Sequence, residues 1–180
     1  MKQKQSGKLN IIVAVYGLEI VTEKIKALIS KEKIETLDFN VTNEIIGIDG
    51  WRGQVKSITV LYNYDGGQLQ VAAAKEKTVL KINPESISET NRQINKNEDV
   101  HVLAATYGPQ NVTEIIDSLV TADNKLLFTV GNNLFGDTWA GVAKTLVVVL
   151  GYKDIVTDVK IFAERENCNI DIHEPAHTVK

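Results

Sequence analysis

From Leu9 to Tyr16 nearly every position is apolar, with Ile12, Ala14 and Tyr16 at one parity and Ile11, Val13 and Val15 at the other. Side chains alternate across a strand, so two apolar parities predict a strand covered on both faces, ended by Gly17. Val21, Ile25 and Leu28 then recur at helical spacing behind Thr22. That pattern suits a short helix capped by the threonine, although so short a run also fits a strand. Glu35 to Thr42 mixes aliphatic, Thr and Phe residues as strands do. Beyond a loop carrying Trp51, the runs Val55 to Tyr64 and Gln68 to Ala74 flank Asp65-Gly66-Gly67, a hairpin signal.

The same pattern returns. Leu9 to Ser30 aligns without gaps on Val100 to Thr121, with eight identities in 22 positions, among them Ala14 with Ala105, Tyr16 with Tyr107 and Gly17 with Gly108. Phe39, Val41 and Asn43 meet Phe128, Val130 and Asn132, and Asp49, Trp51, Gly53 and Lys56 meet Asp137, Trp139, Gly141 and Lys144. Val71 to Glu76 is set on Ile161 to Glu166, and Ile82 on Ile172. Self-similarity at this period marks a repeat architecture. The expected organisation is an N-terminal tail (1–8), repeat 1 (9–82), a polar linker (83–99), repeat 2 (100–172) and a C-terminal tail (173–180). Each copy reads as about four strands, one possible short helix and a Trp loop. The expected fold is mainly β, two homologous strand-rich repeats forming sandwich-like units.

Tyr107-Gly108, Val112-Thr113, Leu119, Phe135-Gly136-Asp137 and Lys144 to Val149 together form a pattern that resembles the β-rich C-terminal domain of unknown function of DnaJ-homologue proteins and of related uncharacterised bacterial proteins. The first copy departs from it at Gly47-Ile48-Asp49. The resemblance implies an interaction module and carries over no catalytic residues.

Composition narrows the partners. A formal charge of −3 leaves no basic excess for tracking phosphates, so nucleic acid is not expected. The longest apolar runs, such as Leu146 to Leu150, fall far short of the ~20 residues of a membrane-spanning helix. The run Ile11 to Val15 is too short for a signal-peptide core, and a single cysteine, Cys168, fits a reducing compartment; cytoplasmic residence is the expectation.

Several motifs invite chemistry. His173-Glu174-Pro175-Ala176-His177 satisfies the zinc-protease pattern in form, but Pro175 would break the helix that must hold both histidines on one face. A fraying tail is the expected outcome, with no metal or cofactor. Cys168 and His101 could in principle form a nucleophile pair, since a thiolate needs a neighbouring base or positive charge, but His101 aligns with Asn10 on a strand edge of the repeat and a structural or exposed role is the expectation. Asn40-Val41-Thr42 and Asn111-Val112-Thr113 match the glycosylation sequon and read better as strand and cap residues.

The pairs Asp49/Trp51 and Asp137/Trp139 are the candidate ligand-binding residues. An exposed indole stacks on the apolar face of a sugar while a neighbouring carboxylate accepts hydroxyl hydrogen bonds. The alternative is that both tryptophans plug the core and each Asp caps a turn. No catalytic residue is assigned. The chain is expected to be a non-enzymatic binding or assembly module, partnered by another protein, by itself, or by a glycan in a lectin-like role; an enzyme of unknown reaction is the remaining alternative.

Overall fold

The computed structural model describes residues 7–85, 100–152 and 155–173. Most of the polar linker and all of the C-terminal tail beyond His173, including the histidine motif, lie outside the described residues. The elements run β1 (Leu9–Tyr16), β2 (Glu19–Ile20), α1 (Thr22–Lys26), β3 (Leu37–Asn40), α2 (Asn43–Ile46), β4 (Ser57–Tyr64), β5 (Gln70–Lys75) and β6 (Val79–Ile82). The same order follows as β7 (Val100–Tyr107), β8 (Gln110–Asn111), α3 (Thr113–Ser118), β9 (Lys125–Thr129), α4 (Asn132–Phe135), β10 (Thr145–Tyr152), β11 (Ile155–Ala163) and β12 (Asn167–Asp171). The protein is mainly β. Six strands replace the four read in each copy: the two-residue β2 and β8 are too short to leave a periodic signal, and the short β6 and β12 follow the last run read as a strand.

Each copy builds an antiparallel four-stranded sheet, β2-β1-β4-β5 and β8-β7-β10-β11, and a two-stranded ladder, β3-β6 and β9-β12. One face of each large sheet is buried with its own ladder and short helices, in a core containing Tyr16, Ile25, Phe39, Ile58 and Ile82 in the first copy and Tyr107, Ile116, Leu126, Leu146 and Ile170 in the second. The opposite faces of the two sheets meet each other through Val13, Val15, Leu61 and Val71 from one copy and Ala104, Val147 and Val149 from the other. At roughly 1.5–3 kcal/mol per buried aliphatic side chain, against at most about 1 kcal/mol for a surface ion pair, apolar burial holds this seam. Two facing apolar surfaces account for the two apolar parities of β1.

The parities themselves are not as the alternation predicts. Register against β4 jumps between Ile11 and Val13, so Ile12 is a bulge. Leu9 and Ile11 before it, and Ala14 and Tyr16 after it, therefore share the outer core, leaving Val13 and Val15 for the seam. Leu103 repeats the bulge in β7. Thr22 and Thr113 are also reassigned. Neither caps its helix; each hydroxyl accepts from a strand N–H instead, that of Ala14 (3.0 Å) and of Ala105 (2.9 Å).

Pairing also corrects the sequence alignment. Ser57 opposes Lys75 as Thr145 opposes Ala163, so Glu76 is equivalent to Glu164, not Glu166. Leu37 opposes Ile82 as Leu126 opposes Ile170, so Ile82 matches Ile170, not Ile172.

Candidate functional site

A lysine at the start of an inner strand is an expensive residue to bury, and each copy buries one. Lys56 and Lys144 lie just before β4 and β10, their side chains 2% and 1% exposed. Burial of an ammonium is tolerable only with charge and hydrogen-bond partners. Lys56 Nζ has them in Asp49 (2.9 Å), Asn43 Oδ1 (3.3 Å) and Glu76 (3.4 Å). The Tyr16 hydroxyl donates to Asn43 Oδ1 (2.8 Å) and to Glu76 (3.1 Å), closing the network. Burial, and then the Glu76 carboxylate, raise the Tyr16 phenol well above its ordinary value. The hydrogen bond from Lys56 holds the Asp49 carboxyl below its ordinary value. Asp49 also accepts from the Trp51 N–H (3.3 Å), so one carboxylate ties the Trp loop to the buried lysine.

The second copy has the same residue types in looser form. Lys144 Nζ reaches Asp137 (2.8 Å) and the Val142 carbonyl (3.0 Å), while Glu164 stands at 3.8 Å. Tyr107 donates to Asn132 Oδ1 (2.9 Å). Asp137 is again lowered, first by its bond from Lys144, and Tyr107 is raised, first by burial and then by Glu164. A cleft of about 450 Å3 opens over this cluster, lined by Asn132, Lys144, Glu164 and Arg165 together with Val142 and Ala143.

One residue explains the difference. In the first loop Gly50 is buried against the end of β1: a Cβ there would come within 2.0 Å of the Tyr16 carbonyl oxygen. The Leu18 N–H donates to the Gly50 carbonyl (2.9 Å). The second loop has Thr138 at this position, exposed, and a side chain cannot occupy that space. Instead the Lys144 side chain packs nearest to Gly108, 3.3 Å from where a Cβ would stand.

Both clusters lie at one end of the sandwich. Thr59, three residues after Lys56, meets Thr106, the neighbour of Tyr107, across the seam at 2.6 Å between hydroxyl oxygens. Lys75, next to Glu76, places its ammonium 5.2 Å from the centroid of the Trp139 ring. The two tryptophans are half-buried, neither core plugs nor free rings. Asp49 and Asp137 stay partly exposed, with 37% and 42% of their side chains accessible. The position equivalent to Lys75 in the second copy is Ala163, so Trp51 has no matching lysine.

Cys168 and His101 sit in separate strands, β12 and β7, and both are buried. Burial pushes the Cys168 thiol up to about 11, which removes the thiolate near neutral pH. Among the described residues no group of His, Cys, Asp and Glu could hold a metal ion, and no helix is long and apolar enough to cross a membrane.

Lys56, Lys144, Tyr16, Tyr107, Asn43 and Asn132 all recur in the sequence alignment, and a lysine opening an apolar run in both copies was the available signal for the cluster. Glu76 and Glu164 were hidden by the two-residue slip. No family model, no curated protein and no solved structure matches the chain.

Proposed function

We propose that the protein is a non-enzymatic binding module whose recognition surface is the loop end of the sandwich, with a hydroxyl-rich ligand such as a glycan as the class of molecule received. The observation that carries this is the duplication of one anchored loop: a buried lysine, a carboxylate and a half-exposed tryptophan, twice, side by side. In both clusters the acids are engaged by the buried lysine, and in the first by tyrosine as well, which supports a positioning role over proton transfer. The cleft beside the second loop offers Asn132, Glu164 and Arg165 to hydroxyl groups. Trp139 supplies the neighbouring indole surface, shared with Lys75. Two weak sites on one end would act together through avidity.

Binding of the intact protein to a glycan array, with Trp51→Ala and Trp139→Ala beside it, is the test. Trp139→Ala is expected to weaken binding the more, because the cleft lies at the second loop. Each substitution should cost about 1–3 kcal/mol of stability, less than emptying a fully buried aromatic site. No glycan bound by the parent protein, with a large loss of thermal midpoint in both variants, would reassign the loops to structure.

A further inference from the structure

Strand β11 is an outer edge of its sheet among the described residues. Glu164 N–H donates to the Lys144 carbonyl, which fixes the phase of the antiparallel ladder between β11 and β10. Bonded and non-bonded pairs alternate along such a ladder, and register is continuous from Thr145 opposite Ala163 to Leu150 opposite Asp158. Val159, Ile161 and Ala163 therefore direct their N–H and C=O groups away from β10, toward the free side. Two independent bonds agree: the Val159 N–H donates to Asp158 Oδ1 (2.8 Å) and the Ala163 N–H to Glu166 Oε2 (2.8 Å), both side chains rather than strand carbonyls. Strand β11 closes the order β8-β7-β10-β11, and among the described residues no further strand pairs with it. Its equivalent, β5, is the more buried and lies against β7 and β8 of the other copy.

We infer that β11 is a self-association edge, which pairs antiparallel with β11 of a second copy of this chain about a two-fold axis at Val159. A two-fold axis perpendicular to the sheet keeps every side chain on its own face, so only registers centred on a residue are allowed. Centring on Lys160 sets lysine against lysine, and centring on Ile161 sets Asp158 against the second copy's Glu164. Centring on Val159 sets Asp158 against Lys160, twice. In the single chain these two side chains pair with each other at 2.8 Å, and the same charges would exchange across the new ladder. The carboxylate on the Val159 N–H thus guards the edge until a strand of matching charge replaces it. The edge is independent of the loop end, and each stands if the other fails.

Sedimentation velocity of the full chain over a concentration series tests the inference. A concentration-dependent species of twice 19.9 kDa is expected. Lys160→Glu alone and Asp158→Lys alone each set like charges face to face and should weaken association about tenfold or more. The double exchange Asp158→Lys with Lys160→Asp should restore it. Val159→Pro removes an N–H that β10 does not use, so the variant should keep its circular dichroism spectrum and sediment as a monomer. If Val159→Pro does not fold, the charge series decides alone. A monomer at every concentration, or a dimer indifferent to all these changes, overturns the inference.

Discussion

At the residue scale, the buried lysines decide how the loop end answers to pH. The carboxyls of Asp49 and Asp137 are lowered below the ordinary value of 3.8, first by their lysine bonds. A lowered folded pKa contributes stability that is fully present above the unfolded value and is lost as pH falls through the folded one. Urea midpoints should therefore hold through the neutral range and fall on acidification below about pH 4. In the double variant Asp49→Asn with Asp137→Asn the midpoint should start lower and depend less on pH in that acid window. An unchanged acid profile in the double variant would remove the ion pairs from the account. The lysines themselves were legible as repeated identities, but a lysine before an apolar run looks like any strand flank until its partners, which come from other elements, are in place.

Among the elements, the bulge in each first strand and the threonine that accepts from the same strand beyond it are the features that sequence periodicity hid. A bulge adds one residue and reverses the faces of everything beyond it, so a period-two reading of β1 places half of its residues on the wrong side. The threonine was visible as a helix cap because Thr before an apolar helical run is the usual cap signal. Here the preceding Val21 and Val112 already occupy the cap positions, and the hydroxyls turn to the strand. Thr113 is buried and its hydroxyl also donates to Asn111 Oδ1 (2.7 Å). Thr113→Val should therefore leave the Ala105 N–H without its side-chain acceptor and cost about 1–3 kcal/mol in chemical denaturation. Thr113→Ser, which keeps the hydroxyl, should recover most of the loss. The hairpin of β4 and β5, by contrast, was legible outright, because Asp65-Gly66-Gly67 fixes the turn between two apolar runs and Asp65 and Gly66 both take positive φ there.

For the whole molecule, the repeat could be read from identities, while the way its copies meet could not. An apolar strand face states that something covers it, not what. The seam carries a Thr59 to Thr106 hydroxyl bond, and the equivalent positions are Val147 and Val15, both buried at the same seam. Register confirms the correspondence: Val15 opposes Thr59 in one sheet as Thr106 opposes Val147 in the other. Thr59→Val or Thr106→Val alone strands one buried hydroxyl and should cost about 1–2 kcal/mol. The double variant, with valine on both sides as the matching positions already have, should be nearly as stable as the parent. Additive losses in that double-mutant cycle would mean that the two hydroxyls are satisfied separately.

The matched seam has a consequence for how such a chain could arise. A single copy carrying the same inner face could build this sandwich with its own twin, and joining the two in one polypeptide turns an encounter between molecules into a closure within one. Joined halves no longer have to stay alike. Lys75 stands beside Trp139 while Ala163 fills the equivalent place, and Gly50 lets one loop close where Thr138 keeps the other open. Within one polypeptide each half is the fixed partner of the other, while the loops at their shared end differ.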